Sequence, residues 1–215
     1  MASKQLNGVR NLMADGVDRF AEWQPHTVYG KPTFFRGDAW QLLLAQPRWA
    51  LRISLLIRAI LRAESNVDTR IAIAIGGADE IVPDDISLST GEAFTLSGRA
   101  LDKITGYFEL TGAIPDRAGV MATWLPVILH LCSGLARSWT SRQAEIVSHA
   151  LLLENFTHES IAKLLDPPVS KQTVTGALTG ANWRTLVEPI RAFEAADWAS
   201  IIGSDGINNI TRQPK

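Results

Sequence analysis

The chain has a single cysteine, Cys132, so it can form no internal disulfide. A fold that must stand without disulfides suits a reducing compartment. Cys132 lies in the apolar run WLPVILHLC and reads as a small core residue. No stretch reaches about 18 uncharged apolar residues, so a membrane span is not expected. The opening MASKQLNGVR has no apolar core, so a secretory leader is not expected either. Together these point to a cytoplasmic location. Net charge is −1, which excludes a strong global attraction to nucleic acid or to an anionic membrane and leaves room for a local basic patch. His26, His130, His149 and His158 have no metal-ligand spacing. Phosphate-loop and nucleophile-elbow motifs, internal repeats and low-complexity runs are all missing. Gly76-Gly77 after a strand is too short for a dinucleotide fingerprint. Neither a cofactor nor a catalytic constellation is expected.

What is present is an ordinary globular balance, 46% hydrophobic and 20% charged over 215 residues. That supplies one large core or two small ones. Val9, Leu12, Met13, Val17 and Phe20 recur at three- and four-residue spacing, which predicts a helix over 6–22, stopped by Pro25. Two apolar runs around Gly37-Asp38 predict a hairpin. Pro47 opens a helix over 47–63. On its wheel Trp49, Leu56, Ile57, Ile60 and Leu61 share one face; Arg48, Arg52, Arg58 and Arg62 share the other and are expected in solvent. Ile71, Ile73 and Ile75 alternate with small residues, the clearest strand in the chain, over 69–75. The loop 78–90 carries Asp79, Glu80, Asp84 and Asp85 without a calcium-loop spacing. A helix over 92–104, a strand over Tyr107–Thr111 and an apolar helix over 119–136 complete an α/β (α+β) domain at residues 1–135, read as an open sheet with helices on one side.

Residues 136–203 read as an all-α domain. Thr140 and Gln143 have capping-box spacing for a helix over 140–153. Thr157 caps a second helix to Leu165 with Ser160 at the third position, an incomplete box. Asp166-Pro167-Pro168 breaks it, and Ser170 caps a third helix through Trp183. A last helix is expected after Pro189 through Ile202, and 204–215 reads as a flexible tail. If the helix–turn–helix meets double-stranded DNA, the first turns of the third helix enter the major groove. Ser170, Lys171, Gln172, Thr173 and Thr175 are then the readers, with Arg142 and Arg184 on phosphates. Opposing this, Arg137, Arg142, Lys163, Lys171, Arg184 and Arg191 are balanced by Glu145, Glu154, Glu159, Asp166, Glu188 and Glu194, and phosphate neutralisation supplies most affinity.

The segments FRGDAWQLLL, RIAIAIGG and GEAFTLSGRALDKI, in that order, resemble the SatD family and, more distantly, the ferredoxin-like core of class III nucleotide cyclases. TSRQAEIV, FTHESIAKLL and VSKQTVTGALTGANW resemble the helix-turn-helix at the end of SatD-like proteins. The resemblance implies a cyclase-like sandwich followed by a helix-turn-helix domain. It places Asp38 at a metal-carboxylate position, Arg99 at a phosphate-stabilising position, and Thr95 where the cyclases carry Asn. Two further departures stand out. The family's first strand, with its carboxylate, is absent from this sequence, and Phe34 stands at the base-reading lysine. Paired metal ions on a triphosphate need two carboxylates, so these residues argue against catalysis. The expectation is a non-catalytic, homodimeric, DNA-binding transcriptional regulator with a degenerate sensing or dimerisation domain. Two alternatives stay open: a nucleotide-binding or nucleotide-processing module built on Asp38, Thr95 and Arg99, and an assembly module that binds no DNA.

Overall fold

A computed structural model describes residues 3–35, 37–104 and 106–203. Its elements run α1 (Ser3–Trp23), β1 (Val28–Phe35), β2 (Ala39–Leu44), α2 (Ala50–Ser65), β3 (Ile71–Ala74), α3 (Glu92–Asp102), β4 (Leu110–Ala113), α4 (Val120–Arg137), α5 (Ser141–Leu151), α6 (His158–Leu164), α7 (Lys171–Gly180), α8 (Trp183–Ala195) and α9 (Trp198–Ile202). The architecture is mixed helix and sheet. The expected tail 204–215 lies outside the described residues.

The strands form two separate sheets, not one open sheet. β1 and β2 are an antiparallel hairpin closed at Gly37-Asp38, with a bulge between Tyr29 and Thr33. β3 and β4 are a parallel pair, joined in register from Ile71 with Leu110 to Ala74 with Ala113. Periodicity fixes which residues make a strand but not which strands become neighbours. β4 begins three residues later than the sequence reading placed it. Tyr107 projects into solvent, 75% exposed, and Phe108 leaves the ladder to stack flat on His130 at 4.2 Å. Burial holds the His130 ring below the usual histidine pKa.

α2 is the axle of the molecule. Every residue from Ala50 to Leu61 is buried, because α1, α4, α5, α8 and β3 surround it. The expected solvated arginine stripe is therefore a correction: Arg48 is exposed and Arg62 half-buried, but Arg52 and Arg58 are enclosed. Arg58 donates to both carboxylate oxygens of Asp68 at 2.8 Å, to Ser133 Oγ at 3.3 Å and to Glu109 Oε2 at 3.4 Å. Arg52 donates to Glu194 Oε2 and to the Leu151 carbonyl, both at 3.1 Å, and lies over the rings of Trp23 and Trp49. A buried guanidinium is tolerable when its fork is filled by carboxylates. One continuous buried cluster links α1, α2, β3, β4 and α4 with α5 to α9.

The helix ends show how local chemistry sets the later boundaries. Thr140 and Gln143 form the capping box reciprocally. The box at Thr157 is complete after all, since Ser160 Oγ accepts from the Thr157 N–H at 3.1 Å; a short hydroxyl does there what Glu usually does. The third helix stops at Gly180 rather than Trp183, because Asn182 turns left-handed at φ 55°. α8 begins there, earlier than expected, and keeps Pro189 inside it. α4 is the one described helix long and apolar enough by composition to cross a membrane. One of its faces packs inward through Leu125, Leu129, Cys132 and Ala136. Burial pushes the Cys132 thiol up to about 11.

Candidate functional site

α6 and α7 pack against each other, and α7 also rests on α5. Val174 and Leu178 of α7 point into the core with Ile161 and Ala162 of α6. Helical spacing then forces the intervening residues outward. Ser170, Lys171, Gln172, Thr173 and Thr175 are all exposed on the first turns of α7. Three of their hydroxyls are already engaged. Ser170 Oγ accepts from the Thr173 N–H at 3.1 Å and lies 2.9 Å from its hydroxyl. Thr175 Oγ1 donates to the Lys171 carbonyl at 3.0 Å and meets His158 Nδ1 at 2.8 Å. The side chains of Lys171 and Gln172 make no hydrogen bond within the described chain, so these two are available to a partner.

The surrounding charges are sparse. Lys163 pairs with Glu159 at 2.8 Å on α6. The Lys163 hydrogen bond and charge, with help from Lys171, hold the Glu159 carboxyl below its usual range. Arg142 stands at the start of α5 and pairs with Glu145 at 2.5 Å. That end of α5 lies near the far end of α7: a methyl added at Gly180 would strike Gln143 Nε2. Arg184 opens α8 and lines a separate depression with Phe156, Trp183, Glu154 and Glu188. The seven expected DNA contacts therefore divide into one compact group on α7 and two flanking arginines, one paired with Glu145 and one on a separate depression of mixed charge. His158 was not singled out as a site residue. Its role as a brace on Thr175 depends on the α6–α7 crossing, which spacing does not encode.

A second feature is a cleft of about 520 Å³ between β2 and β3, floored by α2 and bordered by α3. Phe94, Ser97 and Leu101 of α3 line it. Thr95 and Arg99 sit on the opposite, exposed side of the helix, and the Thr95 hydroxyl donates to the Gly91 carbonyl at 3.2 Å. Asp38 is exposed at the hairpin tip. None of Asp38, Thr95 and Arg99 lines the cleft. The acidic loop uses Asp85 to cap its own turn, accepting from the Ser87 N–H and hydroxyl at 3.1 and 2.6 Å. Among the described residues no cluster of three His, Cys, Asp or Glu side chains has metal-binding geometry. No protein family, no curated protein and no solved structure matches this chain.

Proposed function

We propose that the chain is a non-catalytic, cytoplasmic regulator resembling the SatD family, in which α5, α6 and α7 act as a helix-turn-helix on double-stranded DNA. The observation that carries this reading is the first turn of α7. It projects Lys171 and Gln172 free of other bonds while Val174 and Leu178 anchor the helix behind them. Such a helix offers a donor for guanine and a bidentate amide for adenine to a major groove. The α/β part, cyclase-like in this reading, senses a ligand or holds two copies together.

Two copies pair through α4. Val120, Trp124, Val127 and Leu131 are exposed at 68, 55, 43 and 68% and follow the four–three–four spacing of a coiled-coil seam. No acidic or basic side chain interrupts it, so it complements itself. The expected result for Trp124→Asp with Leu131→Asp is a monomer in analytical ultracentrifugation where the parent chain is a dimer. A monomeric parent at tens of micromolar overturns the pairing.

DNA binding is tested by anisotropy of labelled duplex from the gene's own upstream region. Arg184 and Arg142, the latter once it exchanges Glu145 for phosphate, give four phosphate-reaching cations from two copies, so log K should fall against log salt with a slope on the order of −4. Lys171→Ala with Gln172→Ala should weaken specific binding at least about tenfold, since each good base contact contributes roughly 1–3 kcal/mol. No binding at low salt, or equal binding by the double variant, sinks the reading.

A further inference from the structure

The two sheets leave unpaired edges that face each other. Ile71 N–H donates to the Glu109 carbonyl at 2.7 Å and Ile75 N–H to the Ala113 carbonyl at 3.3 Å. In a parallel ladder alternate residues turn to the same neighbour. Ile71, Ile73 and Ile75 therefore serve β4, and the N–H and C=O groups of Ala72 and Ala74 point to the other side. On β2, Ala45 N–H donates to the Thr27 carbonyl at 2.8 Å. The odd-numbered residues of β2 then serve β1, and the backbone groups of Trp40, Leu42 and Leu44 point away from it. Both outward edges line the same cleft. One end is tied by Trp40 Nε1, which donates to Thr69 Oγ1 at 3.0 Å. Gln41 also lines the cleft, and its Oε1 is buried without a hydrogen-bond partner.

We infer that this cleft receives an extended, uncharged apolar strand from another polypeptide, which pairs with β2 on one side and β3 on the other. The geometry asks for a strand because backbone donors and acceptors alternate along both walls, a pattern that a peptide in β conformation matches and a compact ligand does not. The chemistry asks for an apolar strand because, among the described residues, Arg70 and Asp102 are the sole ionisable side chains on the lining, and both are exposed. The floor presents Ile53 and Ile57 of α2, and α3 adds Phe94 and Leu101. A strand enclosed on both faces reads as a nearly continuous run of Val, Ile and Ala. Residues 204–215 do not fit that description, since Asp205, Asn208, Asn209, Arg212 and Gln213 break any apolar run. Bound, the strand turns two small sheets into one five-stranded sheet and removes two open edges that otherwise invite unspecific pairing. The inference is independent of DNA binding.

The test uses the full chain and the peptide acetyl-VAVIVAGKK-amide, with residue-resolved hydrogen exchange as readout. The amides of Ala72 and Ala74 should exchange freely alone and slow at least tenfold with peptide, together with those of Trp40 and Leu42. The same peptide N-methylated at every residue should give no protection. Unchanged exchange with peptide overturns the inference, and so does equal protection by the N-methylated form, which would mean unspecific apolar sticking. Protection already present without peptide also overturns it. Its loss on deleting 204–215 would then identify the chain's own tail as occupant, and its loss on dilution would identify a second copy.

Discussion

Arg58→Ala is expected to destabilise the chain by about 3–5 kcal/mol, the usual cost of removing one partner from a buried ion pair. The guanidinium is 1% exposed and fills a fork made by Asp68, Glu109 and Ser133. Without it, the two carboxylates keep only more distant charge partners, Asp68 with Arg62 at 3.5 Å and Glu109 with Arg137 at 3.9 Å. Ser133 Oγ, which also accepts from the Glu109 and Leu110 N–H groups at 3.0 and 3.2 Å, loses the charge that oriented it. Arg58→Lys keeps the charge but not the fork, and should recover part of the loss. Asp68→Ala should cost less than Arg58→Ala, because Asp68 reaches solvent and Glu109 remains to pair the arginine. Urea unfolding at pH 7 measures all three. Equal midpoints for Arg58→Ala and the parent would refute the account. The pH dependence follows with a definite sign. Burial alone would raise the Asp68 pKa, but the Arg58 hydrogen bonds and charge, the Thr69 N–H and the Arg62 charge together outweigh it and hold the carboxyl below its ordinary value of 3.8. A depressed carboxyl pKa contributes stability above its unfolded value that is lost as pH falls through the folded one. The parent should thus lose stability below about pH 4, and Arg58→Ala should lose less over the same range.

Gly91→Ala is expected to cost a similar amount by a different route. Gly91 caps α3 at φ 138° and ψ 178°, a region open to glycine and strained for any residue with a Cβ. An added Cβ would lie 2.7 Å from Ala78 Cα, 2.7 Å from Asp79 N and 2.8 Å from the Gly77 carbonyl oxygen. All three are backbone atoms, so no side-chain rotation relieves them. Backbone strain of about 1–3 kcal/mol and overpacking of about 1–3 kcal/mol add to roughly 2–6 kcal/mol. The control lies on the same helix. At Gly98 a Cβ meets nothing within 4 Å, and Ala there should stabilise by about 0.5–1 kcal/mol through better helix propensity. Thermal melts should therefore move in opposite directions. A Gly91→Ala melt at or above the parent's would mean that the turn before α3 is freer than the structure describes.

Much of the local structure was legible in the residues. Ile71, Ile73 and Ile75 announced β3, Gly37-Asp38 announced the hairpin, and Thr140 with Gln143 announced the start of α5. These signals act within a few residues, which is the range that periodicity and capping cover. What failed needs partners outside the element itself. Arg52 and Arg58 share a helix face that looks solvated, yet their carboxylates stand 142 and 10 positions along the chain. Nothing in the spacing of α2 reports that Glu194 returns to meet it. The separation into two sheets was equally hidden, because alternation describes the faces of a strand and not its neighbour. At the candidate interface, the exposure of Lys171 and Gln172 followed from Val174 and Leu178 at helical spacing. The location of Arg184 did not, because it depends on where Asn182 turns the chain.

The burial of Cys132 has a practical consequence for labelling. A thiol with a pKa near 11 is thiolate in about one molecule in ten thousand at pH 7, and the side chain is buried on the inward face of α4. To maleimides, peroxide and disulfide reagents the native chain is therefore nearly silent. A cysteine introduced at exposed Gln172 or Gly98 becomes the one reactive handle on the molecule. Fluorophores placed there can watch α7 or the border of the cleft without first deleting the native thiol.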